Sequence, residues 1–215
     1  MLQKKYHLKT FCSLKDNLNV HYKADLFDQH KADKYYDIFE HFLVYDSAEQ
    51  SKVTVFGKEY YIPRKQTSYG DTGTYYTFAG NTVYSHDWNN KDIVCTVIRN
   101  IKHKVETFTG KTFNYVLINR YADGNQNIGL HRDSEASLGV DPTIVGVSFG
   151  ASRDVCFAPY KFIPEILPKR ITLELDHGSI FVMYPPTNTY WTHEIPKRAS
   201  VNKPRISLTF RYLHI

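Results

Sequence analysis

Cysteine is scarce, and what there is does not pair. The chain holds three, Cys12, Cys95 and Cys156, far apart and with no CxxC spacing. A disulfide framework and a zinc knuckle are therefore excluded as organising devices, and a reducing compartment is the expectation. Long apolar runs are missing as well. No stretch approaches the length of a membrane span, and MLQKKYHLKTF at the start has no apolar signal region. The expectation is a soluble intracellular protein with no membrane partner. Repeats, low-complexity tracts and Pro/Gly/Ser-rich linkers are also lacking, which leaves one domain over residues 1–215. There is no basic import cluster.

Aromatic residues, by contrast, are plentiful at 15%, with 17 Tyr and 13 Phe. That excess suits a β-rich fold and also suits stacking on flat ligands such as bases. The formal charge of +5 leans toward a polyanionic partner.

Apolar periodicity predicts one helix within residues 28–45, on Tyr35, Ile38, Phe39 and Phe42. It predicts a second over Ile93, Val94, Val97, Ile98, Ile101, Val105 and Phe108, capped by Gly110. KVTVFGKEYYIP (52–63) alternates like a strand pair around a short turn. Short strands follow at 113–121, 143–149, 154–158, 170–175, 179–184 and 205–213. Two helices ahead of many short strands predict a β-sandwich or jelly roll with flanking helices. In the last strand Arg205, Ser207, Thr209 and Arg211 share one face, and Ile206, Leu208 and Phe210 the other. Asn119 and Tyr121 likewise share a face. Polar faces of this kind point either at a common site or at bulk water.

LHRDSE (130–135) poses the functional question. His-Arg-Asp opens a protein-kinase catalytic loop, but the Asn required five residues after the Asp is Leu138. The nearest DFG look-alike is Ser148-Phe149-Gly150, and no glycine-rich loop precedes it. The kinase reading fails. As a metal site, His131 and Asp133 in an extended segment point to one side, and a distant His completes a 2-His-1-carboxylate triad. His177 and His193 are the candidates, and His193 is better placed because the polar-faced last strand follows it. Such a site leaves positions open for 2-oxoglutarate, whose far carboxylate calls for a fixed arginine. Arg205 and Arg211 are of the right type. On spacing alone, a polar loop remains the alternative.

Taken together, Asn119-x-Tyr121-x-x-Gly124, His131-x-Asp133, His193 and Arg205-x5-Arg211 resemble the AlkB family of iron(II)/2-oxoglutarate dioxygenases. VFGK (55–58), PRKQ (63–66), YGD (69–71), YTF (76–78), VSFGASRD (147–154) and PTNTYW (186–191) are similar to its duplex-DNA repair branch. The likeness runs from about residue 50 to the C-terminus. It implies a mainly β fold with flanking helices (α+β), built on a double-stranded β-helix. The segments expected are an N-terminal helical extension (1–50), a DNA-recognition lid with a hairpin wedge (51–87), a supporting helix (88–110) and an oxygenase core (111–215). It further implies Fe(II) on His131, Asp133 and His193, and 2-oxoglutarate on Asn119, Tyr121, Arg205, Thr209 and Arg211, with O2 as the third participant. The implied reaction oxidises an N-methyl group of 1-methyladenine or 3-methylcytosine, releasing formaldehyde, succinate and CO2.

The implied partner is alkylated DNA, preferably double-stranded, acted on by a monomer in the nucleus. Single-stranded DNA or RNA is the alternative substrate, and a non-catalytic nucleic-acid-binding β-domain the alternative class. Tyr76, Phe78, Ser134 and Glu135 fall at the family's base pocket, although Tyr76 and Phe78 also read as strand core. An apolar Phe56 between Val55 and Gly57 at a hairpin tip has no obvious folding role. It resembles a wedge that fills the gap left by an extruded base. Lys52, Lys58, Arg64 and Lys65 flank it and suit phosphates or the opposite strand. Ser134 and Ala79 depart from the family's usual residues at that pocket, and Gln126 replaces a frequent acid in the loop before the metal.

Overall fold

The computed structural model describes residues 8–13, 16–55, 57–78, 81–160 and 170–215. In chain order these form strands β1 (Leu8–Ser13) and β2 (Leu18–Lys23), helix α1 (Gln29–Phe42), then β3 (Lys52–Val55), β4 (Lys58–Tyr61), β5 (Lys65–Gly70), β6 (Tyr75–Phe78), β7 (Asn81–Tyr84) and β8 (His86–Asp87). Helix α2 (Ile93–Thr109) leads into β9 (Tyr115–Tyr121), β10 (Ile128–His131), β11 (Ile144–Gly150), β12 (Arg153–Pro159), β13 (Ile171–Leu175) and β14 (Ser179–Met183). A single-turn helix α3 (Thr187–Tyr190), β15 (Trp191–Ile195) and β16 (Arg205–Arg211) complete the order.

Two sheets face each other. The larger runs β1-β2-β14-β11-β16-β9-β5-β8, and the smaller runs β10-β15-β12-β13. From β9 onward the chain steps back and forth between them, with β9, β11, β14 and β16 in one and β10, β12, β13 and β15 in the other. This is the double-stranded β-helix, or jelly roll. The hairpins β3-β4 and β6-β7 stand outside both sheets.

The large sheet is buried on both faces, which is why β11 and β14 read as nearly continuous apolar runs. Between the sheets, Val20, Tyr22, Phe181 and Met183 meet Val155, Phe157, Leu173 and Leu175. On the outer face, Phe39 of α1 and Ile98, Ile101 and Val105 of α2 pack on Val116, Ile118, Val147, Ile206, Leu208 and Phe210. Phe39 is fully buried, and its burial alone contributes about 2–3 kcal/mol. Asp28 caps α1 by accepting from Lys31 N at 2.8 Å. Gly110 ends α2 in the left-handed region at φ 66°, as the sequence suggested. Cys95 and Cys156 are buried free thiols.

The expected helical extension over residues 1–50 needs correction. Among its described residues the α-helix is confined to Gln29–Phe42, while β1 and β2 lengthen the large sheet through β2-β14 pairing. Leu18, Val20 and Tyr22 do alternate inward, but three residues of period two are too few to stand out in a charged segment. Phe42 is 61% exposed, so α1 turns only Ala32, Tyr35 and Phe39 fully inward. Among the described residues no helix is long and apolar enough to cross a membrane.

Candidate metal and co-substrate site

The strand register brings the two histidines together. His131 on β10 is the direct cross-strand partner of His193 on β15, and their ring centroids lie 4.3 Å apart. Asp133, two residues beyond the end of β10, turns back so that its Oδ1 is 3.5 Å from His131 Nε2. One ligand atom from each of the three lies within 4.8 Å of the others. His131 Nδ1 donates to Gly129 O at 2.8 Å, which leaves Nε2 free to present a lone pair. His193 Nδ1 is buried with no hydrogen-bond partner among the described residues. His177, the other candidate, is used structurally: it accepts from Gly150 N and faces Asp33 on α1.

Asp133 is held on three sides. Arg211 reaches its Oδ2 through Nη2 at 2.7 Å and Nε at 2.8 Å. Asn188 brackets its backbone, accepting from Asp133 N at 3.2 Å and donating to Asp133 O at 2.7 Å. Burial alone would raise the Asp133 carboxyl's pKa. The Arg211 charge outweighs it and holds the group well below the usual carboxylate range. Burial, with His131 adding to it, pushes the His193 imidazole down to about 3. At neutral pH the trio is thus one carboxylate and neutral imidazole at His193, the state a divalent metal requires.

Beside the trio, the alternating strands of the large sheet aim polar side chains into the interior. Leu117, Asn119 and Tyr121 of β9 and Arg205, Ser207, Thr209 and Arg211 of β16 line an interior cavity of about 60 Å³ that reaches His131 and His193. Arg205 is 1% exposed. Its Nη2 donates to Ser148 Oγ at 2.9 Å and Ser207 Oγ at 3.3 Å. Burial pushes its pKa down to about 10. Its Nε and Nη1, together with Arg211 Nη1, are buried donors with no partner among the described residues. Two buried guanidiniums with unfilled donors, beside a His/Asp/His triad, fit a metal-bound dicarboxylate.

A second cavity of about 460 Å³ opens on the other side of the triad. Val53, Ile62, Arg64, Tyr76, Glu135 and Arg132 line it, and it shares Leu117, Ile128, His131 and Arg211 with the first. Tyr76 is buried, stacks on Tyr115 at 5.2 Å and hydrogen-bonds Glu135. Glu135 Oε2 is buried there with no partner among the described residues.

Other sequence candidates fall elsewhere. Arg64 turns inward and donates from Nε to Asn119 Oδ1 at 2.7 Å, so it bridges lid and core. Lys58 and Ser134 are exposed, Lys52 pairs with Glu49 and Glu59, and Lys65 lies over the Tyr45 ring. Val55 ends β3 and Phe78 ends β6. Gly57 takes φ 75°, as a tight hairpin turn requires. Phe56 and Ala79 lie outside the described residues. The supports that sequence reasoning missed are Gly129, Ser148 and Asn188, whereas Arg132 turns away from the trio as expected, its guanidinium stacked on Tyr160 at 3.7 Å. Asn188 is 55 residues from Asp133, whose backbone it brackets, and no local pattern announces it.

The family model of the 2OG-Fe(II) oxygenase superfamily matches residues 21–211. The chain belongs to the AlkB branch of that superfamily. "DNA oxidative demethylase ALKBH2" of Bos taurus is 42% identical over 200 residues, covering 91% of this chain and 69% of that protein. The Homo sapiens protein of the same name is 43% identical over 190 residues, covering 86% and 70%. "Alpha-ketoglutarate-dependent dioxygenase alkB homolog 3" of Homo sapiens is 33% identical over 162 residues, covering 72% and 53%. The solved structure of OsALKBH1 has the same fold, with a TM-score of 0.56 at 14% identity over 94% of this chain and 99% of that one. This oxygenase therefore uses Fe(II), 2-oxoglutarate and O2. The non-catalytic β-domain alternative falls away.

Proposed function

We propose that this oxygenase repairs DNA by demethylating 1-methyladenine and 3-methylcytosine, with a preference for double strands, and that it works in the nucleus where that substrate lies. The observation carrying this reading is the 460 Å³ cavity, which abuts the metal trio and sets an aromatic face, Tyr76, beside a carboxylate, Glu135. Both lesions are cationic at neutral pH, and a tyrosine face with an adjacent carboxylate favours a flat cation.

His131, Asp133 and His193 would hold the iron, which with 2-oxoglutarate and O2 supplies the oxidising power for the methyl C–H bond. Arg205 and Arg211 would orient the co-substrate by charge-assisted hydrogen bonds from their unfilled donors. Glu135 and Tyr76 would fix the base so that its methyl faces His131 and Asp133. The walls Val53, Ile62, Leu117 and Ile128 would keep water from the reacting carbon. Phe56, in the sequence that joins β3 to β4, would take the place of the extruded base.

The test is formaldehyde release from matched single- and double-stranded oligonucleotides, in DNA and in RNA, each bearing one lesion. Faster turnover of duplex DNA is expected. Faster turnover of RNA or of single strands would overturn the duplex assignment.

A further inference from the structure

Arg153 is 0% exposed, yet no carboxylate hydrogen-bonds it among the described residues. Its guanidinium is spent on three backbone carbonyls: Nη1 donates to Asp123 O at 3.0 Å, and Nη2 to Gln126 O at 2.9 Å and Pro196 O at 2.7 Å. One flank lies 5.6 Å from the Tyr121 ring. A buried cation held by carbonyls alone, with its Nε left without a partner among the described residues, is an expensive way to fill a sandwich that apolar side chains could fill. Its position supplies a reason for it.

Asp123 and Gln126 belong to the loop entering β10, and Pro196 is the first residue after β15. These two strands carry His131 and His193, and their mutual pairing is thin. Only Ile128↔Ile195 and His131↔His193 register, with a shift between them. The ladder that sets the two imidazoles opposite each other therefore holds little of its own geometry. Arg153, at the start of β12, ties both strands together just outside the Ile128↔Ile195 pair. Farther along the chain, Gly124 N donates to Val201 O at 2.7 Å and Arg198 N to Gly124 O at 2.8 Å, continuing the same seam.

We propose that Arg153 is a positioning residue for the metal centre: by clamping the β10 entrance to the β15 exit it fixes the register that holds His131 against His193. It touches neither metal nor co-substrate. The inference rests on the assignment of iron to His131, Asp133 and His193, and deepens it. Lysine, a single point donor on a flexible stem, cannot reproduce a planar fork spread over three carbonyls.

The experiment uses the full chain without turnover. Mn(II) and Co(II) titrations under anaerobic conditions give metal affinity, and the visible spectrum of the Co(II) form reports ligand geometry. Wild type, Arg153→Lys, Arg153→Met and His193→Ala are compared with Val20→Ala on β2, which loosens the core between the sheets and pairs with neither β12 nor β15. Both Arg153 variants are expected to bind metal at least tenfold more weakly, with an altered Co(II) spectrum, while Val20→Ala lowers Tm but keeps wild-type affinity. Wild-type affinity and spectrum in Arg153→Lys, or an equal loss of affinity in Val20→Ala, would overturn the clamp. Undiminished binding by His193→Ala would instead overturn the ligand assignment beneath it. If Arg153→Met fails to fold, Arg153→Lys still decides the outcome.

Discussion

Single residues at the centre have separable duties. His193→Ala would remove one of the three proposed ligands, and both metal binding and formaldehyde release are expected to fall to background. Arg205→Met removes charge-assisted hydrogen bonds worth about 1.5–3 kcal/mol. The KM for 2-oxoglutarate is expected to rise roughly 10- to 100-fold, with the KM for the oligonucleotide unchanged, as steady-state kinetics would show. Asp133 also makes a pH prediction for the metal-free protein. Its carboxyl is held below the ordinary range, so its ion pair with Arg211 stabilises the fold fully above the unfolded value of about 3.9. That contribution is lost as pH falls below it. Asp133→Asn should therefore flatten the acid limb of a plot of stability against pH, measured by urea unfolding. The sequence placed these residue types correctly on alternating faces, because period two is a property of any strand.

At the level of elements, two connections carry testable weight. A Cβ on Gly124 would lie 1.8 Å from Arg198 O, so Gly124→Ala must push apart the loops before β10 and after β15. A loss of more than about 2 kcal/mol is expected in denaturant unfolding. The β3-β4 hairpin carries the substrate prediction. Phe56→Ala is expected to slow repair of duplex DNA by about tenfold, the size of a lost apolar contact, and to leave single-strand rates unchanged. Equal rates on duplex for the variant and wild type would remove the wedge. The hairpin was legible because KVTVFGKEYYIP alternates on both sides of a glycine. β10 and β15 were not recognised as partners, since a four-residue and a five-residue strand with one shared pair of histidines leave little pattern.

For the whole molecule, the residues proposed for metal and co-substrate come from both sheets: Arg205 and Arg211 on the large one, His131 and His193 on the small one. Ligands binding only the folded sandwich at 100-fold above Kd stabilise it by about 2.7 kcal/mol. For a chain of this size that amounts to roughly 5–10 °C in Tm. Mn(II) with 2-oxoglutarate should produce this shift in a thermal melt, and EDTA should reverse it. A shift from Mn(II) that is unaffected by 2-oxoglutarate would place the co-substrate elsewhere.

What the sequence determined by itself was chemical type and face: a His-x-Asp pair, a later His193, two arginines six apart, and strands whose polar sides converge. Those follow from short-range geometry, which each strand carries in its own residues. Tertiary structure alone decided the N-terminal strands, the inward turn of Arg64 onto Asn119, the Asn188 bracket on Asp133 and the Arg153 clamp. Each of these depends on which strand lies beside which. That order comes from burying both faces of the large sheet at once, a constraint that no single segment contains.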